Sequence, residues 1–361
     1  MNITEINHLI HTLNEDELFY REYQEKKRNP RIFNQYLKSL DRTALRNKKL
    51  IVPEFPETMP PSKLSVQYYP GEGTISVRKH NCFTPVFKHS HDFFEAFYVM
   101  EGMCTHDISG KNQTLYTGDF CIVPPGVEHT VSVQDTSIII TMIYTREAIA
   151  NAFRNPTLHR NNVLTDFFLK SIYIKDVNDY LIFHTGNDEH IKNIVLEMMM
   201  ECSNQFPEYE QILVSLNGIF FANMMRYYSN SVEYPKFLGR TSSIAYGIVT
   251  FIQENHRTVK LSDVAHKFHY TPEHTSRFIK EVTNMSFSEL LYKYRMEHAE
   301  TLLKDTSLPI ADVAYEIGYE NAETFNKIFK KHYKCTPTEY RRKKREAFRG
   351  NNHLSHTLGY S

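Results

Sequence analysis

Residues 261–281 read LSDVAHKFHYTPEHTSRFIKE, and residues 310–331 read IADVAYEIGYENAETFNKIFKK. At an offset of 49, Leu261 meets Ile310, Asp263 meets Asp312, Val264 meets Val313, Ala265 meets Ala314 and Tyr270 meets Tyr319. Past the turn the offset becomes 50, pairing Thr271 with Asn321, Arg277 with Lys327, Phe278 with Ile328 and Lys280 with Lys330. One unit therefore occurs twice, with a single residue added in the second turn. Each copy predicts helix, short turn, helix. In the first, Val264, Ala265 and Phe268 form an apolar face and the chain turns at His269-Tyr270. Thr271-Pro272 then supplies an N-cap and a proline at the first helical position. Thr275, Phe278, Ile279 and Val282 point inward, which leaves Glu273, His274, Ser276, Arg277 and Lys280 outside. In the second copy Gly318 turns, Asn321 caps, Phe325, Ile328 and Phe329 go in, and Ala322, Glu323, Thr324, Asn326 and Lys327 look out. A small alanine in the first helix and a tight turn let two helices cross closely and present one to a DNA major groove, which is helix-turn-helix geometry.

Between the copies, SFSELLYKYRMEHAETLLKD (286–305) predicts one long helix starting from cap Ser286. Leu290, Leu291, Tyr294, Ala299, Leu302 and Leu303 are the candidates for its buried side. Such a helix would hold the two units about one DNA turn, ~34 Å, apart. Residues 244–361 hold 18 Lys and Arg against 14 Asp and Glu, whereas the first 243 hold 24 against 28. The basic excess gathers in KKHYK (330–334) and RRKKR (341–345), Lys331 and Arg341 among them, and suits phosphate contacts that hold register without reading sequence.

Over about a hundred residues this block resembles the DNA-binding domain of the AraC family of bacterial transcription regulators. The motifs that carry the likeness are Arg295-x3-Ala299-x2-Leu302-Leu303, Ile310-x2-Val313-Ala314-x3-Gly318-Tyr319, Phe325-x3-Phe329-Lys330-Lys331 and Thr336-Pro337-x2-Tyr340-Arg341. Three positions depart from the pattern. Asn284 and Lys334 stand where a helix-ending glycine is usual, and His269 replaces a turn glycine, so a small local strain is expected there. The resemblance implies DNA contacts from Glu273, His274, Ser276, Arg277, Lys280, Ala322, Glu323, Thr324, Asn326, Lys327, Lys331 and Arg341. Arg277 is the leading base reader, since a guanidinium on guanine is the commonest specific contact. It also implies a double-stranded operator, RNA polymerase as a partner, a homodimer, and activation as the commoner sign of regulation.

Upstream, 361 residues are more than one core usually serves, and a formal net charge of +0 excludes a strong overall polyanion or membrane-surface bias. No secretory leader opens MNITEINHLIHTLNEDE, and no apolar run approaches the roughly 20 residues of a membrane span, so a cytoplasmic protein without a membrane partner is expected. Five scattered cysteines without a CxxC pair read as reduced, small apolar residues. Residues 1–65 read as a helical extension and arm. Leu18, Phe19 and Tyr23, then Ile32, Phe33, Tyr36, Leu37 and Leu40, recur at helical spacing, Asn29-Pro30 separates two helices, and VPEFPETMPP (52–61) serves as linker or extended arm. Residues 66–146 carry about seven short β-branched and aromatic runs cut by turns such as Ser109-Gly110 and Pro125-Gly126, the texture of an antiparallel sandwich or barrel. Residues 147–230 are helical and either cap that barrel or pair with a second copy. Residues 231–243 are a linker, 244–345 the DNA-binding domain and 346–361 a tail.

Within the β region, KHSHDFFEAFYVMEG (88–102) holds His89-x-His91-x3-Glu95-x6-Gly102, followed by Gly118-x5-Pro124-x-Gly126-x2-His129. His89 and His91 share a strand face, Glu95 shares it if the strand is unbroken, and Phe97 has the same parity. Together these resemble the two cupin motifs over about 80 residues, although Val133 stands where the second often has asparagine. The fold expected is therefore multidomain: an N-terminal all-β cupin (jelly-roll) barrel with flanking helices, then a C-terminal all-α double helix-turn-helix domain. His89, His91, Glu95 and His129 permit a divalent iron, manganese, zinc or nickel ion without requiring one. With Phe97 they equally suit a metal-free pocket for a small-molecule effector, a sugar or other metabolite, or a structural role. The function expected is a ligand-responsive transcription regulator with no catalytic residues. The alternative is a cupin metalloenzyme of dioxygenase or isomerase type with an appended DNA-binding domain.

Overall fold

The computed structural model describes residues 1–65, 73–146, 148–149, 164, 167–168, 171, 180–233 and 240–343. The tail 346–361, Lys344 and Arg345 of the basic run, residues 234–239 of the expected linker and most of 147–179 lie outside the described residues. Two compact units result, residues 1–172 with 176–237 and residues 173–175 with 238–361.

The first unit opens with helices α1 (Ile3–His11), α2 (Glu15–Lys27), α3 (Pro30–Ser39) and α4 (Arg42–Asn47). Strands β1 (Lys63–Leu64), β2 (Ile75–Lys79), β3 (Ser90–His91), β4 (Phe94–Glu101), β5 (Met103–Ile108), β6 (Lys111–Tyr116), β7 (Asp119–Val123), β8 (His129–Ser132), β9 (Ile138–Tyr144) and β10 (Leu181–His184) follow. Helices α5 (Glu189–Asn204) and α6 (Tyr209–Tyr228) and the short strand β11 (Val232–Glu233) close it. The strands form a six-stranded sheet in the order β11-β10-β7-β4-β9-β2, a three-stranded sheet β6-β5-β8, and the parallel pair β1-β3. The large sheet thus recruits β10 and β11 from beyond the stretch whose texture marked it as β.

That sheet is buried on both faces, which is why its strands read as continuous apolar runs rather than as alternation. From β4, Phe94, Ala96, Tyr98 and Met100 join one core with Ile191, Val195 and Met198 of α5, Phe220 and Met224 of α6, and Ile6 and Ile10 of α1. Phe97 and Val99 join the other, with Cys121 and Val123 of β7, Cys104 and Ile108 of β5, and Tyr20 and Tyr23 of α2. The three buried cysteines are free, and burial pushes the Cys82 and Cys104 thiols up to about 12. At the β5–β6 hairpin, Ser109 and Gly110 both have positive φ, 51° and 82°, the two-residue turn whose twist matches antiparallel strands. Gly118 is required by close approach: a Cβ there would stand 1.7 Å from the Gly186 carbonyl oxygen.

Asn29 caps α3 as expected, and of the residues at helical spacing Tyr23 is buried and Phe19, Phe33, Tyr36, Leu37 and Leu40 pack against the same core, but Leu18 and Ile32 do not. Leu18 and Ile32 are 44% and 46% exposed, while Glu17, Tyr20 and Tyr23 are buried. A carboxylate goes in because it is fully paired. Glu17 meets the Lys79 Nζ at 2.8 Å and accepts the Cys82 amide at 3.1 Å. The proline-rich passage is likewise no loose linker: Val52 and Phe55 are buried, and Thr58 Oγ1 accepts from the Val52 amide.

The second unit contains α7 (Arg240–Glu254), α8 (Leu261–Lys267), α9 (Pro272–Thr283), α10 (Phe287–Asp305), α11 (Ile310–Glu316) and α12 (Ala322–Tyr333), and residues 337–343 are also helical. The expected caps are in place. Thr271 Oγ1 accepts from the His274 amide, Ser286 forms a capping box with Glu289, and Asn321 accepts from the Thr324 amide. Ala265 and Ala314 are both buried where the helix pairs cross. The three departures His269, Asn284 and Lys334 all adopt the left-handed conformation, with φ of 59°, 60° and 59°, so the backbone keeps its shape and the side chains carry the strain. Arg295, the first residue of the central motif, is structural. It donates to the carbonyls of His256 and Arg257, both at 2.9 Å, and stacks over Tyr319. Gly318 turns beneath it at φ 88°.

Candidate functional site

The barrel brings the four expected ligand residues together. His89 and His129 exchange backbone hydrogen bonds, the His89 amide to the His129 carbonyl at 3.1 Å and the reverse at 2.9 Å. The strand carrying His91 is interrupted by a bend at Asp92-Phe93 instead of running unbroken to Glu95. The pleat of β4 nevertheless turns Glu95 to the same interior as Phe97. His91 and His129 are fully buried, Glu95 is 4% exposed and His89 7%. All three Nε2 atoms face one oxygen, Glu95 Oε2, at 3.7 Å from His89, 3.4 Å from His91 and 3.2 Å from His129.

The other ring nitrogens face backbone carbonyls. Nδ1 of His89 lies 3.3 Å from the Phe87 carbonyl, Nδ1 of His91 2.6 Å from that of Phe93, and Nδ1 of His129 3.2 Å from that of Val127. A carbonyl only accepts, so each Nδ1 is placed to donate to it, and Nε2 of His129 is itself within hydrogen-bond distance of Glu95 Oε2. His91 Nε2 has no hydrogen-bond partner. A buried acceptor left without a donor costs about 1–3 kcal/mol. Burial outweighs the pull of Glu95 and lowers the His91 imidazole to about 4. Burial by itself would raise the Glu95 carboxyl, but the surrounding imidazoles more than offset it and hold it well below the usual range. Donor atoms bound to one ion at ~2.1 Å stand roughly 3.0–3.4 Å apart. The three contacts to Glu95 Oε2, at 3.2 to 3.7 Å, lie close to that range, and among the described residues the group whose donor atoms all lie within 4.8 Å of one another is His89, Glu95 and His129, without His91. Two imidazoles and a carboxylate suit a borderline divalent transition metal, so His89, Glu95 and His129 fit the ion that the cupin pattern implies.

Phe97 packs edge-on against His106, His129 and His80. His80 and His106 belong to this interior and were not among the expected residues. Burial lowers both, His80 to about 4 and His106 well below its ordinary value. For His106 a signal existed, because Cys104, His106 and Ile108 alternate as buried positions along β5. A separate cavity of about 570 Å³ lies between α2 and the barrel, lined by Tyr23, Gln24, Lys27, Arg28, Val86 and Gln134 among others.

In the second unit the expected reading faces are open. Glu273, His274, Arg277 and Lys280 are exposed on α9 and Ser276 half-buried; on α12 Glu323, Thr324 and Lys327 are exposed, with Ala322 and Asn326 half-buried. His274 is not a free arm, since its ring stacks between Tyr270 and Phe278. Glu273, Ser276, Arg277 and Lys280 share one open concavity. Lys331 is exposed, whereas Arg341 is half-buried and donates through Nε to the Leu303 carbonyl at 3.4 Å.

Comparison with known proteins agrees with both units. The family described as "AraC-like ligand binding domain" matches residues 75–178, and "Helix-turn-helix domain" matches residues 264–343. The HTH-type transcriptional activator RhaR of Mannheimia succiniciproducens is 23% identical over 270 residues, 75% of this chain and 92% of the relative. The Proteus vulgaris protein named "Probable transcription factor PqrA" is 32% identical over 92 residues, 26% of this chain and 75% of that protein. Two further relatives are matched over only 11% and 37% of their own length. Among solved structures, the C-terminal domain of AraT, a response regulator from Geobacillus stearothermophilus, is 36% identical with a TM-score of 0.28, covering 29% of this chain and 88% of that one. A cupin-like ligand-binding domain followed by a helix-turn-helix DNA-binding region, with relatives that are transcription regulators, leads to one conclusion: the chain belongs to the AraC family of transcription regulators.

Proposed function

We propose that this regulator is a ligand-responsive activator that reads a double-stranded operator with α9 and α12 in successive major grooves. The observation that carries the reading is the duplicated unit, capped alike in both copies, with its outward face left open on each second helix. Arg277 reads a base, Glu273, Ser276, Lys280, Ala322, Glu323, Thr324, Asn326 and Lys327 complete the reading faces, and Lys331 holds phosphate. His274 and Arg341 act more through their stacking and packing within the domain than through reach. The protein works in the cytoplasm as a homodimer and recruits RNA polymerase. The dimer is supported by α6, whose Ile212, Val214 and Ile219 are 43%, 42% and 48% exposed. Among the described residues no helix is long and apolar enough to cross a membrane.

The effector acts on the barrel. A sugar or other metabolite enters at the cavity beside α2, whose volume is in the range of small-molecule sites. His89, His91, Glu95, Phe97 and His129 form the buried part of the sensor. The barrel senses and does not catalyse, a reading supported by its place in a chain with two DNA-reading helices. Selection of bound sequences from a random DNA pool by the full chain tests the proposal. Enrichment of a two-part site, with binding that weakens steeply as salt rises, is expected. Recovery of no sequence preference would refute it.

A further inference from the structure

His184 is the last residue of β10, and strand parity gives it one face of the large sheet with Asp119 and Glu233. Asp119 of β7 is its direct cross-strand partner, while Glu233 of β11 pairs with Ile182, one diagonal step away. His184 Nδ1 lies 2.7 Å from Asp119 Oδ1, and Nε2 lies 3.1 Å from Glu233 Oε1. We infer that His184 is a proton-operated clasp: charged, it docks β11, the strand from which the chain leaves the first unit, and neutral, it lets that strand go.

Both carboxylates only accept, so the two bonds together need a proton on each ring nitrogen, which the imidazolium alone carries. The neutral ring keeps one N–H. Asp119 holds it, because that contact is the shorter and the carboxylate is buried and preset by the Tyr116 amide, which donates to its other oxygen at 2.8 Å. Nε2 then faces the Glu233 carboxylate as a second acceptor, and attraction turns to repulsion. Exposed ion pairs are weak singly, but β11 is two residues long, so a small change decides its docking. The other titratable groups around the end of β10 are engaged elsewhere: Tyr228 of α6 donates to Asp188 at the start of α5, and Gln113 donates to Tyr180 at 2.7 Å. Ser231 Oγ donates to the His184 carbonyl at 3.1 Å whatever the ring's charge, so release begins at Val232. It adds two residues, at most about 7 Å, to the stretch of chain that leads to α7.

Burial by itself would lower the His184 imidazole; Asp119 and then Glu233 more than offset it and raise it above its ordinary value of 6.5. A histidine raised on folding contributes stability that is full below the unfolded value and is lost as pH rises through the folded one. Strand β11 is therefore docked in mild acid and released on the alkaline side.

Hydrogen exchange of the full chain, followed by mass spectrometry and corrected for the intrinsic pH dependence of exchange, tests the clasp without DNA, so it stands or falls apart from the operator reading. Protection of peptides covering Val232 and Glu233 should fall roughly tenfold between about pH 6 and about pH 8.5, while peptides from β4 stay unchanged. Glu233→Gln is the decisive variant, and it replaces an exposed side chain. Its amide accepts from the charged ring and donates to the neutral one, so protection should stay high across the range. His184→Ala should leave β11 poorly protected throughout. A parent chain whose β11 protection does not change with pH would overturn the clasp, and so would a Glu233→Gln variant that keeps the parent's step.

Discussion

Glu17 of α2 and Lys79 of β2 form a salt bridge at 2.8 Å in which the carboxylate is wholly buried and the lysine nearly so. Burial by itself would raise the Glu17 carboxyl; the Lys79 hydrogen bond and the amides of Asn14 and Cys82 outweigh it and hold the group below its ordinary range. A carboxyl depressed on folding contributes stability above its unfolded value, near ~4.3, and that contribution is lost as pH falls through the folded value. Acid should therefore release the N-terminal helices from the barrel first. Glu17→Gln should cost roughly 3 kcal/mol at neutral pH by leaving Lys79 unpaired, and should flatten the pH dependence of stability below ~4.3. Denaturant titrations at several pH values check both, and an unchanged pH slope would refute the assignment.

Gly318 has no room for a methyl group. A Cβ would lie 2.2 Å from the Arg257 carbonyl oxygen and 2.8 Å from Arg295 Nη2, at a φ that L-residues avoid. Gly318→Ala should cost about 3–5 kcal/mol, as seen by urea unfolding, and abolish operator binding with it.

The converse holds at His269 and Lys334, which occupy left-handed backbone with ordinary side chains. His269→Gly and Lys334→Gly should each stabilise the second unit by about 1 kcal/mol, and Asn284→Gly by less, because asparagine already tolerates that conformation. Calorimetry of the three variants should rank them in that order.

Arg277→Ala should relax base preference at one position of the selected site by about 1–3 kcal/mol while leaving other positions unchanged. Lys331→Ala should instead weaken all sequences alike and lower the salt slope by about 1. Binding to a panel of singly altered sites distinguishes them, and a uniform loss for Arg277→Ala would mean that it touches phosphate.

Ile219→Glu, on the open face of α6, should yield monomers in sedimentation at micromolar concentration with the melting temperature little changed, since Ile219 is already half in solvent.

Much of the second unit was legible because its determinants are local. Caps, a buried alanine and a turn residue repeat at fixed spacing, and a repeat reports twice on the same physics. The barrel site was legible through strand parity together with the spacing of the two cupin-like motifs. His89, His91, Glu95 and His129 meet as the spacing implied, although a bend at Asp92-Phe93 breaks the strand that was to carry them. What could not be read was set by long-range partners. Glu17 is buried only because Lys79 lies across from it, 62 residues on. The packed proline-rich strap, and strands β10 and β11 at the edge of the large sheet, likewise depend on distant surfaces.

The two cores on either side of β4 have a consequence for assembly of the sheet. A slip of one residue between β4 and its neighbours β7 and β9 would exchange its faces, driving Glu95 among Ile194, Phe220 and Met224 and turning Phe94 and Ala96 toward the histidines. An apolar strand with two buried faces has little else to distinguish one alignment from the next. Glu95 supplies that distinction, so the residue at the centre of the histidine cluster also serves the folding chain as its ruler.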